Sequence, residues 1–417
     1  MYMKKTKKIS KTKNNNNNKT LRISPKDQMN LRKSSAKAIN NPIIKNASEN
    51  LSNDFSISSL DQYVNLLSNV IKSDLIKTHS YSPSINKKII NINNNKFTNI
   101  FKCENDNNLI KTYFDNNFKL NISTIPNKLI CVDFNSEKAR IAILKNFLLN
   151  KKLNPSTIIS PIQKHANCWF NTMFMSFFIS DKGKKFMKSF HQSMIIGKTI
   201  NNKLISPPKL SDSLLLFALS IEACYNNSNI KNQSLAYNTN NIIYGIYDSL
   251  PNRDGIKNID EHGNPYLFYR DLIDYLEGNK KSIKMIRWDS ELNVNNFFTN
   301  KINNKIIPDV IIITLFDNDD KDKAQSENYN NKPLKVKYNN HFYQLDSAIV
   351  RDISKRHFCC GITINKRQYL FDGSVFSVLT KRGWKKWINK NIDWRPIQST
   401  LDWNFMKGYS LLFYYRI

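Results

Sequence analysis

Cys168 stands in the stretch Ile162-Gln163-Lys164-His165-Ala166-Asn167-Cys168-Trp169-Phe170-Asn171-Thr172, and apolar residues follow it at helical spacing. Far downstream come His357-Phe358, a short apolar hairpin pattern, and Tyr369-Leu370-Phe371-Asp372-Gly373. A cysteine that opens a helix, with a later His and Asp on neighbouring strands, is what a thiol hydrolase needs. A free thiol has a pKa of about 8.5, so little of it is nucleophilic at neutral pH. A helix start supplies positive potential and free N–H groups that favour the thiolate. An imidazole can hold the proton and return it to a leaving amine. A carboxylate beyond the imidazole fixes its tautomer and supports its charge. Cys168, His357 and Asp372 fill these three roles by residue type. Gln163 is the expected oxyanion donor, because an amide N–H can face a developing O⁻; Asn167 is its rival.

The competing assignments are weaker. His341 also precedes a Phe, but it begins the first strand of the pattern, whereas His357 begins the second. A hairpin turning at Asn365-Lys366-Arg367 brings the His357 and Asp372 ends of its two strands side by side. Asp372-Gly373 is also a common turn pair, a role compatible with catalysis. His165 is close to Cys168 in sequence and is better placed to line a cleft. Cys359 and Cys360 have alternating apolar neighbours and read as strand residues. Trp384, Trp387, Trp394 and Trp403, interleaved with lysines, can stack bases, but sheet packing is the simpler role.

The segment from Gln163 to Thr172 resembles the Cys box of ubiquitin-specific proteases, in which a polar amide lies five residues before the nucleophile. Gln163, Cys168, Trp169, Phe170, Asn171 and Thr172 occupy the places of that pattern. The stretch from Phe342 to Gly373 is similar to the family's His box. Three weaker echoes follow the family order: Tyr266–Leu276 for its Glu-Phe helix, Pro308–Leu315 for its core strand, and Gly408–Arg416 for its closing strand. The resemblance covers roughly residues 158–417. It implies a papain-like fold, a thioester route, and a protein substrate carrying ubiquitin or a ubiquitin-like modifier. The chain departs from the pattern at several places. The glycine of the Cys box is missing, the usual Asn is Gln163, and Arg356 replaces the Gly before the His. These positions lie where a substrate tail threads, so the modifier stays open, and the branch is a divergent one of the kind large DNA viruses carry. A transglutaminase-like acyl transferase is a second reading of Cys-Trp with downstream His and Asp. A non-enzymatic basic structural or virion protein on a degenerate protease fold is a third.

Around this site the chain must supply positioning elements. Its 417 residues, 40% of them hydrophobic, suffice for one large or two modest domains. Residues 1–50 read as a disordered Asn/Lys-rich basic tail, and 51–153 as a small helical extension. The extension has helices expected over 59–76 and 136–149 and short strands such as 88–92. Asn154-Pro155-Ser156 marks a boundary, and 154–417 is the expected catalytic domain. Helices are expected over 168–179, 183–196, 211–225 and 266–276. Strands are expected over 310–316, 342–350, 358–364, 369–371 and 409–415, with 317–339 a polar loop. Helices first and an antiparallel sheet later define an α+β fold with a helical lobe and a sheet lobe.

Composition narrows the function. With only 10 Gly and no Walker A or dinucleotide fingerprint, nucleotide chemistry is not expected. The six cysteines lack Cys-x-x-Cys spacing, so no metal is expected; no cofactor is either, and a reducing compartment fits. Apolar runs fall short of the roughly 20 residues a membrane span requires. No secretory signal is visible. Cytoplasm or nucleus of a host cell, or a virion, is the expected location. Net charge is +30, with about a dozen of those charges in the first 48 residues, so weak nucleic-acid contact through that tail is expected. The Asn, Lys and Ile bias also fits an AT-rich genome.

Overall fold

The computed structural model describes residues 101–102, 119–123, 130–148, 153–161, 163, 166–225, 239–253, 265–277, 285–289, 307–315, 332–354, 357–374, 379–396, 399–407 and 409–417. All of them lie in the compact unit Phe55–Ile417. The basic tail, the expected helix over 59–76 and strand over 88–92, and His165 lie outside the described residues.

Three short strands form a small antiparallel sheet: β1 (Phe101–Lys102), β2 (Lys119–Asn121) and β3 (Cys131–Asp133). They fall in the segment read as helical, where runs this short leave no period-2 signal. Cys131 is disulfide-bonded, while Cys168, Cys224, Cys359 and Cys360 are free thiols; spacing alone gave no sign of a pair. Helix α1 (Glu137–Leu148) follows, capped by Ser136, whose hydroxyl accepts from the Ala139 N–H.

The helical part continues with α2 (Cys168–Phe174), which runs into a π turn over Met175–Ile179. Then come α3 (Asp181–Phe186), α4 (Lys188–Ile196), α5 (Pro208–Tyr225), α6 (Thr239–Tyr247) and α7 (Pro265–Glu277). Five rings, Phe170, Phe174, Phe178, Phe217 and Tyr269, join these helices at centroid distances of 5.1–6.3 Å. Among the described residues no helix is long and apolar enough to cross a membrane.

The large sheet holds β4 (Met285–Asp289), β5 (Val310–Leu315), β6 (Lys335–Tyr338), β7 (His341–Arg351), β8 (Phe358–Ile364), β9 (Arg367–Asp372), β10 (Thr380–Lys381) and β11 (Ser410–Arg416). Its order is β10-β9-β8-β7-β11-β5-β4, with β6 beside β7. All of its pairings are antiparallel except β4–β5, so the described chain is α+β. Every residue of β5 and β8 is buried, because both sheet faces are covered. Phe177 in the π turn meets Phe413 of β11 on the helical side. On the other side pack Trp384, Trp394, Trp403 and Phe405 from the segment before β11. Trp394 stacks on Trp403 at 5.7 Å, and both are buried, so these tryptophans are packing groups. Gly361 admits this packing: a Cβ there would lie 2.5 Å from the Trp384 indole.

β6 corrects the expected 317–339 loop. Val336 and Tyr338 are buried while Lys335 and Lys337 are exposed, a period-2 strand masked by its lysines.

Candidate active site

Cys168 is the first residue of α2 and is 5% exposed. No charged residue stabilises this helix; all seven of its residues are buried. Trp169 and Phe170 pack edge-on against Phe268 of α7 at 5.5 and 5.4 Å. Thr172 turns its hydroxyl back to the carbonyls of Cys168 (3.0 Å) and Trp169 (3.1 Å). The π turn that follows breaks the regular ladder, as such turns often do near functional sites.

His357 enters from the sheet. The Oδ1 atom of Asp352 accepts its backbone N–H at 2.7 Å, while the Asp352 N–H donates to the His357 carbonyl at 2.8 Å. Ser354 donates its hydroxyl to the other oxygen of Asp352. These bonds tie His357 to Asp352, and β8 begins in a fixed direction.

Asp372 ends β9, and the register sets it opposite Cys359 of β8, two residues beyond His357. This pairing brings the carboxylate Oδ1 to 2.6 Å from His357 Nε2. The β8–β9 turn, Asn365–Lys366, has positive φ at both residues (50° and 63°), as a two-residue hairpin requires. The Asp181 carboxylate accepts the N–H of each at 2.9 Å. Helix α3 therefore clamps the hairpin that carries the His–Asp pair.

Cys168 also interacts with the His357 ring and favours its charged form. With Nε2 on Asp372, Nδ1 is the ring nitrogen left for the thiol. Burial works against charge on this ring. The hydrogen bonds to Asp372 and Cys168, and their charges, outweigh it and raise the imidazole to about 9. Burial likewise favours the neutral acid at Asp372, but the bonds from His357 and Ser374 hold the carboxyl below its ordinary value. Burial first, and nearby carboxylates second (Glu222 for Cys224, Asp372 for Cys359 and Cys360), push these thiols up, which removes them as nucleophiles at neutral pH.

Cys168, His357 and Asp372 are thus brought together. Gln163 is half-buried beside them, its backbone N–H donating to the Gly373 carbonyl at 3.0 Å. Asn167 turns its amide nitrogen to the Thr239 hydroxyl at 2.9 Å, and Thr239 donates to Asn171 Oδ1 at 2.6 Å. His341 opens β7 opposite Tyr338, apart from the triad. Asp352, Thr239 and Ser374 escaped sequence reasoning. Asp372-Gly373-Ser374 does carry a signal, since an Asp side chain bonding two residues on is a recurrent turn. Among the described residues no group of three or more His, Cys, Asp or Glu side chains is placed to hold a metal ion.

No protein-family model matches the chain, and no curated protein matches it. Among solved structures it is similar to the Ubp8-Sgf11-Sgf73-Sus1 SAGA DUB module, at 12% identity and a TM-score of 0.39 over 69% of this chain and 76% of that one. It is similar to the same module bound to monoubiquitin, at 11% identity and 0.40 over 95% and 99%. An essential yeast splicing factor overlaps at 10% identity and 0.38 over 72% and 83%. At these scores the overall chain traces diverge.

Proposed function

We propose that the protein is a thiol-dependent hydrolase of papain-like architecture that cleaves peptide or isopeptide bonds. The observation that carries this reading is the buried His357–Asp372 pair, Oδ1 at 2.6 Å from Nε2, with Cys168 near enough to the ring to favour its charge. Cys168 gives its proton to His357, and the thiolate attacks the substrate carbonyl. His357 returns that proton to the leaving amine as the C–N bond breaks and a thioester forms. His357 then takes a proton from water, the hydroxide attacks the thioester, and Cys168 leaves as thiol with release of the acid. Asp372 holds the ring in one tautomer and supports its charge throughout. The Cys168 backbone N–H and the Gln163 side chain are the donors for the developing O⁻; one such donor is worth about 3 kcal/mol in the barrier.

The likeness of the Cys and His boxes to ubiquitin-specific proteases makes ubiquitin or a ubiquitin-like modifier the substrate class. The tail over residues 1–50 adds weak contact with nucleic acid by counterion release, and a host cytoplasm or nucleus is the place of action. Turnover of a ubiquitin C-terminal amide substrate tests this: the full chain should release the amine, and Cys168→Ala should not. Equal turnover by both proteins would remove Cys168 from the chemistry. If neither turns it over while a generic peptide library is cut in a Cys168-dependent way, the hydrolase stands and the modifier falls.

A further inference from the structure

The Asp372 carboxylate is held from one side only. Its Oδ1 accepts three hydrogen bonds: His357 Nε2 at 2.6 Å, the Ser374 hydroxyl at 2.7 Å and the Ser374 backbone N–H at 2.9 Å. Its Oδ2 is buried and has no hydrogen-bond partner among the described residues. The torsion that turns a carboxylate is broad and roughly two-fold, so nothing intrinsic to Asp372 chooses which oxygen faces the ring. Two of the three donors that make the choice belong to Ser374.

The same turn reaches the other half of the site. The residue between them, Gly373, accepts the Gln163 N–H through its carbonyl at 3.0 Å. A Cβ on Gly373 would lie 3.5 Å from the Gln163 Cβ and 3.7 Å from Asn171 Nδ2, so the turn sits against the Cys-bearing segment. Base and oxyanion donor are therefore referenced to one tripeptide.

We propose that Ser374 is a positioning residue for His357: its hydroxyl and backbone N–H clamp Oδ1 of Asp372 and so fix the tautomer and aim of the imidazole. This rests on the hydrolase reading above. Removing the hydroxyl has two opposed effects. The carboxylate becomes more basic, which strengthens any bond it makes to the ring. It also loses one of its two clamping donors and can rotate, which depopulates that bond. The second effect dominates, because the bond to the ring depends on alignment. It also agrees with the raised imidazole, whose charge needs the Asp372 contact.

The test is the pH dependence of Cys168 alkylation by iodoacetamide in the full chain, mapped by mass spectrometry, for the unsubstituted protein, Ser374→Ala and Ser374→Thr. The unsubstituted protein should show an upper inflection near 9, where the imidazolium loses its proton. In Ser374→Ala that inflection should fall by about one unit, and the neutral-pH alkylation rate by about tenfold, the loss expected for one hydrogen bond to a charged group. Ser374→Thr keeps the hydroxyl and should restore both. A reactive Cys168 with an unmoved inflection in Ser374→Ala overturns the clamp alone, as does a Thr variant as impaired as Ala. An inert Cys168 in the unsubstituted protein overturns the hydrolase reading and the clamp with it.

Discussion

A buried imidazole that keeps its proton to about pH 9 sets the working range of the site. The rate needs the imidazolium for leaving-group protonation, so kcat/KM should fall as pH rises through about 9. A profile flat from pH 8 to 10.5 would remove His357 as the acid. The same shift is a statement about stability. An ordinary His titrates near 6.5, so the folded state gains from His357 fully below about that pH and loses the gain as pH rises through about 9. Asp372 is shifted downward, so its gain is present above the ordinary carboxylate range and fades as pH falls through its lower folded value. The two gains share one ion pair, so they are a single contribution rather than two. Between pH 6 and 10 the melting temperature should drop more for the unsubstituted protein than for His357→Gln. Equal drops would contradict the assignment. The reacting side chains were the most legible part of the molecule in its sequence. Cys, His and Asp were identifiable by residue type and by a hairpin spacing of 15 residues. Asp352 was not, because a single carboxyl that serves a neighbour leaves no pattern, and Ser374 was readable only as the end of an Asp turn.

The β8–β9 hairpin starts beside His357 and ends at Asp372, two of the three proposed catalytic residues, and its turn is not self-sufficient. Lys366 lacks the freedom of glycine at a φ of 63°, and Asp181 offsets the strain by accepting both turn N–H groups. Asp181→Ala should destabilise the protein by about 2–3 kcal/mol in urea unfolding and lower kcat more than it raises KM. Unchanged stability would show that the clamp is idle. Gly361→Ala would drive a methyl into the Trp384 indole and should cost about 1–3 kcal/mol; a neutral result would mean that Trp384 moves freely. Apolar runs made β5, β7, β8, β9 and β11 readable almost to the residue. Helix α6 was missed because Thr239-Asn240-Asn241 and Gly245 are poor helix formers. Its helicity comes from burying Ile242, Ile243 and Ile246, a tertiary effect that no local pattern encodes.

Across the described residues, the sheet is the frame that sets His357, just before β8, and Asp372, at the end of β9. Both faces of its central strands are covered, so strands and helices cannot shift independently without opening the core. The α+β class followed from helices preceding strands. The small sheet β1–β3 did not, since two- and three-residue strands carry too little alternation. A net charge of +30 predicts retention on heparin that weakens steeply between about 50 and 200 mM salt. Salt-independent retention would argue against counterion release. The central claim, however, is that Cys168 is a nucleophile activated by His357 and Asp372. The most direct measurement is adduct formation with a ubiquitin bearing a C-terminal thiol-reactive electrophile, run beside a small iodoacetamide probe and mapped to its residue. The account predicts one adduct, on Cys168, lost in Cys168→Ala and strongly slowed in His357→Ala. Labelling of Cys168 no faster than an ordinary thiol, and indifferent to His357, would contradict it.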